Sequence, residues 1–518
     1  MRNACLCLGL LACAAPAEDV GEVDPDVLPD AGDAFPAADA WGGTTGPGIG
    51  KHTWDEGQLF EHCAYLAGGE GTVDHHNLLV VNDGYVLFPW APEWGGGGLS
   101  LMDFSNPCEP VLVGEAWSDG MRESHSLGIS VIEGRTYVAV DYITPGDPPS
   151  RRNNGPGGGV GFFDITDPAA PFWVGGVEVE GHAYPDSYTR LTLALFWQGP
   201  YVYAATASLG VFIIDASDPH NPEVVGNIGF DGPHLVGSFH VWGNRAMAAT
   251  AGLGRTVLMD ISDPLNAFAV PGGDFTSRDA AGRPVNYYFA NLGAEHALFA
   301  RSSDGGGLVV WDVTDASAPV EVSVTPNDDG DGGYVFQHED YVFLGDSQFG
   351  TVYDFADPSN PVGIGTFNLK GDLDTVTPLG NVAAAAVDED GDPGQATAIV
   401  PWRSEPDDRG PRPGMTSPLP GATRQALTSR VGVVFDELLE PVSAFAGSFR
   451  VMDAEGTPVA GHFNVQENIV NFTPTEPLAP SARYWVHLPA GGITDVSGNP
   501  MDDELVFHFD TVGAAESP

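Results

Sequence analysis

One phrase recurs six times along the middle of this chain, and no other feature restricts the fold as much. It appears as Gly98-Leu99-Ser100-Leu101-Met102-Asp103-Phe104-Ser105-Asn106-Pro107, then as Val160-Gly161-Phe162-Phe163-Asp164-Ile165-Thr166-Asp167-Pro168. Further copies end in Asp215-Ala216-Ser217-Asp218-Pro219, Asp260-Ile261-Ser262-Asp263-Pro264, Asp312-Val313-Thr314-Asp315 and Asp354-Phe355-Ala356-Asp357-Pro358. Measured between first aspartates, the copies lie 61, 51, 45, 52 and 42 residues apart. Such spacing suits four short strands with variable loops. The phrases are β-branched and aromatic with no 3.6-residue stripe, which argues against a helical solenoid.

The third unit can be followed strand by strand: Leu191 to Phe196, Tyr201 to Ala205, Val211 to Ile214 and Glu223 to Gly226. The near-continuous apolar character of its third strand suits a sheet covered on both faces. Aspartate then accepts local backbone hydrogen bonds, while proline fixes φ and removes a donor, so the strand ends in a turn. Every unit needs that turn, whereas an active site needs one asymmetric constellation. The repeated Asp103, Asp164, Asp215, Asp260, Asp312 and Asp354 are therefore assigned a structural role.

These residues resemble the LVIVD-repeat family of extracellular proteins over roughly Val73 to Trp402, with Asn106 replacing the second aspartate of the first copy and Ala316 the proline of the fifth. A degenerate seventh unit runs from Asp372 through Val387 to Trp402. The expectation is an all-β chain in which a seven-bladed β-propeller, residues 51–403, precedes a smaller domain; six and eight blades stay open. Leu59 to Leu66 could supply the outer strand of the last blade and remove its open edge.

After a polar, proline-containing linker at 404–413, the pattern changes to short alternating strands: Val431 to Asp436, Phe449 to Met452, Ile469 to Pro474, Tyr484 to Leu488 and Leu505 to Thr511. Alternation over about 100 residues predicts a β-sandwich, residues 414–513, with one face of each sheet exposed. Phe435-Asp436-Glu437, Phe472-Thr473-Pro474, Leu478 to Tyr484, and Thr494-Asp495 to Gly498-Asn499 resemble the bacterial Ig-like domains of surface-layer and secreted proteins (SbsA type). The resemblance implies spacing or binding, without chemistry.

Met1-Arg2-Asn3 and the apolar run Ala4 to Ala12 have the order of an export signal, too short to span a bilayer. Leu10-Leu11-Ala12-Cys13 resembles the bacterial lipoprotein signal, which would make residues 1–13 the signal segment and Cys13 the lipidated residue; an ordinary signal peptide is the alternative. Residues 14–50 are acidic and small, and are expected to form a flexible stalk. That places the protein outside the cell, at the bacterial outer membrane or cell surface, touching membrane only through its lipid. Cys63 and Cys108 would then meet an oxidising compartment, leaving a disulfide or two buried thiols as the options. With 20 basic and 71 acidic residues, a formal charge of −51, the chain would be repelled by nucleic acid and anionic membranes.

Candidate chemistry gathers before the first strand of successive units, the position nearest a propeller's channel. Asp74, His76, Glu123, His125, Asp186, His234 and Asn286 lie there, together with Tyr288, Asp331, Tyr334, Asp372 and Asp374. They would either coordinate a divalent cation or hydrogen-bond across a water-filled tunnel. Asn327, Asp329 and Asp331 have calcium-loop spacing before Gly332 but lack the twelfth-position glutamate, so an acidic hairpin turn is the alternative. Calcium or another divalent cation is the one cofactor the residues suggest. No Gly-x-Ser-x-Gly elbow or His-Glu-x-x-His helix occurs, and no helix pattern follows the glycine runs. The leading expectation is a surface binding or scaffolding protein, with catalysis left open. Its protein or carbohydrate partner would meet loops carrying Trp90, Trp94, Arg151 and Arg152, since aromatics and arginine dominate interface energetics. A metal-dependent hydrolase centred in the channel and a purely structural envelope component are the alternatives.

Overall fold

The computed structural model describes residues 27–29, 31–67, 75–91, 96–122, 124–150, 153–181, 194–232, 234–279, 281–302, 305–327, 330–388 and 390–514. Among them the chain is all-β, its helical content limited to four single turns of 3-10 helix, and its strands form nine four-stranded sheets.

Seven sheets are antiparallel meanders that follow one another in the chain. The first comprises Val80–Asn82, Tyr85–Pro89, Gly97–Asp103 and Val111–Ser118. The third comprises Ala194–Gln198, Tyr201–Ala205, Val211–Asp215 and Glu223–Ile228. First strands of consecutive sheets touch in chain order from the second sheet to the seventh. The Ser124 amide donates to the Trp90 carbonyl between the second and first sheets, and the His76 amide to Val387 between the first and seventh, so the series returns on itself.

The repeated phrase occupies the third strand of each of the first six sheets, and all six aspartates do the same work. Asp103, Asp164, Asp215, Asp260, Asp312 and Asp354 each accept, through Oδ1, the amide two residues on, at 2.7 to 3.1 Å. Asn106 keeps the role of the aspartate it replaces, its Oδ1 accepting the Cys108 amide at 3.3 Å. In all six sheets a bulge interrupts pairing with the fourth strand within the three residues before the aspartate, for example between Ile213 and Ile214.

The seventh sheet takes Thr375–Leu379, Val382–Ala386 and Thr397–Pro401 from the end of the series and Ala64–Leu66 from its start, Ala64 pairing with Ile399. Cys63, beside that borrowed strand, is bonded to Cys108 in the turn of the first sheet, with 5.1 Å between Cα atoms. Covalent and hydrogen-bonded closure therefore coincide.

The sandwich pairs a sheet of Pro413–Ser417, Val431–Phe435, Ile469–Pro474 and Gly461–Gln466 with one of Ala422–Gln425, Leu505–Thr511, Arg483–Leu488 and Arg450–Asp453. Val433, Phe435, Val465, Val470 and Phe472 meet Phe449, Val486 and Phe509 in its core. The opposite face of the first sheet departs from expectation: it is covered by the meanders. Asn464 and Asn471 are direct cross-strand partners on that face, and both are buried.

The docking surface is the set of turns between first and second strands. The first turn donates the Asp83 and Gly84 amides to Glu440 at 2.6 and 2.9 Å. Ser130 of the second sheet accepts from Asn464 at 2.9 Å, and the third donates the Trp197 and Gly199 amides to Gln466 and Asn464. The fourth donates the Gly243 amide to Asn471 at 2.7 Å, while the fifth gives the Leu292 carbonyl to Asn468 and the Ala294 carbonyl to Met415. The sixth donates the Glu339 amide to the Asp436 carbonyl. Gly243 has φ of +58°, and a Cβ there would lie 2.3 Å from the Ser417 carbonyl, so glycine is required on both counts. Gly380 of the seventh turn has φ of +64°, and a Cβ there would lie 2.5 Å from the Ser497 hydroxyl, so its backbone conformation is what favours glycine.

The expected flexible stalk is corrected in part, and the expected linker is held in place. In the 14–50 stalk, residues 14–26 and 30 lie outside the described set, but Ile49 enters the core and the Gly46 and Gly50 amides donate to the Asp83 and Phe104 carbonyls. The 404–413 linker is pinned: Arg409 and Arg412 pair with Asp340, Arg412 also with Asp436, and Asp407 is buried. Polarity here reflects ion pairing between the two domains and not solvation.

Candidate functional site

First strands begin at the end remote from the docked sandwich. The residues preceding them therefore gather at one mouth, while Gln466 and Glu467 approach the other end beside Leu78, Leu195, Phe239 and Phe336. Glu467 sits at a hairpin tip with φ of +56° and accepts from Asn291 at 2.7 Å, with His240 Nε2 3.5 Å away.

At the mouth, Asp372, Asp374 and Asp388 each offer a carboxylate oxygen within 4.8 Å of the others. Asp374 belongs to the turn before Thr375–Leu379, and its carbonyl accepts the Tyr334 amide at 2.7 Å. Tyr334 stacks on Phe289 at 4.1 Å with ring planes 4° apart. Burial and then Asp374 hold its hydroxyl well above the usual tyrosine range, and burial and then Asp331 raise that of Tyr288. Burial and then Asp372 raise the Asp331 carboxyl. The mouth is thus acidic, floored by aromatic rings, and suited to a cation or a positively charged group.

The histidines differ from one another. His76 Nδ1 bonds to Thr397 Oγ1 at 2.8 Å and its ring lies 5.0 Å from Phe88, while burial and then His75 lower it to about 3. His125 is held by Asp141, whose carboxylate accepts the His125 amide at 2.7 Å and meets Nδ1 at 2.8 Å, so orientation is its evident property. His234 stacks on Phe230 at 4.2 Å, and neither ring nitrogen has a hydrogen-bond partner. Burial and then Arg255 lower it to about 4.

That shift yields a pH prediction. Between pH 6.5 and about 4 the unfolded chain takes up a proton that folded His234 refuses, so stability falls as pH drops through this window. His234→Phe, keeping the stack, should remove this residue's share of the slope, leaving that of the other buried histidines such as His76. Relative to wild type it should gain about 3 kcal/mol at pH 4 over its effect at pH 7. Equal denaturation midpoint shifts at both pH values would refute it.

Other candidates are placed as follows. Asn286 is half-buried, and its carbonyl accepts the Ser302 amide at 2.9 Å. Asn327 Nδ2 donates to Asp346 at 2.6 Å, and the Asp331 amide to the Asp346 carbonyl, so this loop closes on a buried carboxyl that burial raises to about 6. Trp90 is corrected as a contact residue: it is 2% exposed, with its indole bonded to Ser100 at 2.9 Å. Asp74, Glu123, Asp186, Trp94, Arg151, Arg152, Asp329 and Cys13 lie outside the described residues. The amides Asn464, Gln466, Asn468 and Asn471 were missed; their signal was alternation of amides with apolar residues along one hairpin.

The model of the bacterial Ig-like domain matches residues 407–511, and that of the LVIVD repeat matches 195–229, the third meander. No curated protein matches the chain significantly. Among solved structures, the Pseudomonas aeruginosa periplasmic gluconolactonase PpgL is similar at 10% identity over 63% of this chain and 88% of its own, with a TM-score of 0.48. A putative 6-phosphogluconolactonase from Bacteroides uniformis has 14% identity over 59% and 84%, with a TM-score of 0.44. The β-propeller domain of Myceliophteria thermophila Cps50 (Swd1) has 12% identity over 63% and 95%, with a TM-score of 0.42. The chain carries an LVIVD repeat within its closed series of β meanders, followed by a C-terminal bacterial Ig-like domain.

Proposed function

We propose that this is an exported protein, held at the bacterial cell surface by lipid on Cys13, whose seven sheets are the blades of one propeller that serves as a binding or scaffolding head. The observation that carries the reading is the seating of the Ig-like domain on the turns of the sheets. It commits one face of the propeller to an internal contact and turns the acidic mouth outward. A mouth carrying Asp331, Asp372, Asp374 and Asp388 over aromatic rings suits a partner presenting cationic groups. Among the described residues no helix is long and apolar enough to cross a membrane, so attachment in this reading rests on the lipid.

Two experiments test it. Cells fed labelled palmitate should yield labelled wild-type protein, while Cys13→Ala should carry no label and leave the membrane fraction; label on the variant sinks the anchor. The full chain, screened against arrayed cationic peptides and polysaccharides, should lose most retention on Asp372→Asn/Asp374→Asn without change in its melting temperature. Unchanged retention would move the contact away from the mouth.

The convergence of Asp372, Asp374 and Asp388 favours one second reading, a metal-dependent hydrolase. There the three carboxylates would hold the cation and His125, oriented by Asp141, would move protons. Hydrolysis of a model ester or lactone that requires added divalent metal and disappears in the same double variant would establish it. Metal-independent binding by the wild type would exclude it.

A further inference from the structure

Away from the mouth, three carboxylates from separate parts of the chain meet where propeller and Ig-like domain join. Asp407 comes from the connecting segment, Glu437 from the turn after Val431–Phe435, and Asp495 from the loop preceding Leu505–Thr511. None is more than 2% exposed, and each offers an oxygen within 4.8 Å of the others. Asp407 also belongs to a second such group with His338 and Glu339, from the sixth sheet.

Carboxylates this close in a dry site repel one another and need compensation. Asp495 has some, accepting from the Asn499 amide at 2.7 Å and from its side chain at 2.8 Å. Asp407 lies 3.5 Å from Arg403. Glu437 has no arginine beside it: it is 1% exposed, it faces the other two acids, and, as in Asp407, neither of its oxygens accepts a hydrogen bond. His338 Nδ1, 3.3 Å from Oε2, is not aligned to donate one. A buried carboxylate left without any donor is costly, and a directly bound cation is the arrangement that satisfies both oxygens at once. The charges agree. With every carboxyl ionised, Glu339, Asp340, Asp407, Asp436, Glu437 and Asp495 are six acids, against Lys51, Arg403, Arg409 and Arg412, a shortfall of two positive charges.

We propose that Asp407, Glu437 and Asp495 bind one calcium ion, which locks the Ig-like domain onto the propeller. The donors are all oxygen, and three carboxylates can supply up to six of the six to eight oxygens calcium takes. Magnesium retains several waters, for which a site closed by three such buried chains is poorly suited, and zinc prefers nitrogen or sulfur. The proposal is independent of what the outer mouth binds.

The full chain, stripped with EGTA and titrated with calcium by calorimetry, should take up one tightly bound ion per chain and melt at a higher temperature. Magnesium and zinc should bind more weakly. Glu437→Gln, which keeps size and removes charge, should weaken calcium binding at least about 100-fold, whereas Asp372→Asn/Asp374→Asn should leave it unchanged. Should Glu437→Gln fold poorly, terbium emission sensitised by Trp402, whose ring lies 5.8 Å from that of His338, reports on the native chain and should be displaced by calcium. Absence of uptake by the stripped wild type, uptake abolished only by the mouth variant, or tighter binding of zinc would each overturn the proposal.

Discussion

Replacing Asn471 by leucine should destabilise the protein by about 4 kcal/mol, the largest effect expected of any single side chain at the join. Its Oδ1 accepts the Gly243 amide at 2.7 Å and the Gln198 side chain at 2.9 Å, and its Nδ2 donates to the Val241 carbonyl at 2.9 Å. Asn471 is fully buried, so no water replaces what is lost. Leucine has similar size but leaves two donors and one acceptor unsatisfied, each costing roughly 1–3 kcal/mol. The effect should appear as a lower denaturant midpoint, and protease cleavage in residues 404–413 should accelerate as the domains separate. A change below about 1 kcal/mol would mean that the amide ladder is incidental to docking.

Removing the disulfide with Cys63→Ser/Cys108→Ser should cost a similar amount for a different reason. The bond closes a 45-residue separation, which corresponds to about 4 kcal/mol of unfolded-state entropy in the chain-entropy account. It also fastens the short borrowed strand Ala64–Leu66, which has only three residues paired with Thr397–Pro401. Hydrogen exchange should rise first at Ala64–Leu66 and Thr397–Pro401, where the series of sheets closes. If exchange rose equally in all seven sheets, the bond would be acting on the whole chain and not on the closure.

The two effects mark the two kinds of contact that differ in legibility. The turn aspartates could be assigned from sequence because their work is local: each accepts an amide two residues away, so the phrase contains both partners. The third strands were equally plain, since burial on both faces leaves an apolar run at Val211–Asp215 and Gly307–Asp312. The borrowed strand at Ala64–Leu66 was foreseen from the open edge it would cover. Trp90 misled because a tryptophan beside a glycine run resembles a contact loop, whereas its indole is turned inward onto Ser100.

The join was not legible. Asn464, Gln466 and Asn471 have the pattern of a solvated sheet face, and Arg403 to Pro413 has the composition of a free linker. Asn471 and Gly243 are 228 residues apart, and Glu440 and Asp83 are 357 apart. A polar face is buried or exposed according to the surface opposite it, and nothing nearby in the chain records that surface. Order along the chain by itself determined the repeated sheets, their terminating turns and the sandwich, because period and short-range hydrogen bonding decide those. Only the tertiary structure decided that the sandwich seats on the propeller's turns and that three carboxylates converge between them. Both depend on the geometry with which distant polar groups meet after the sheets have formed.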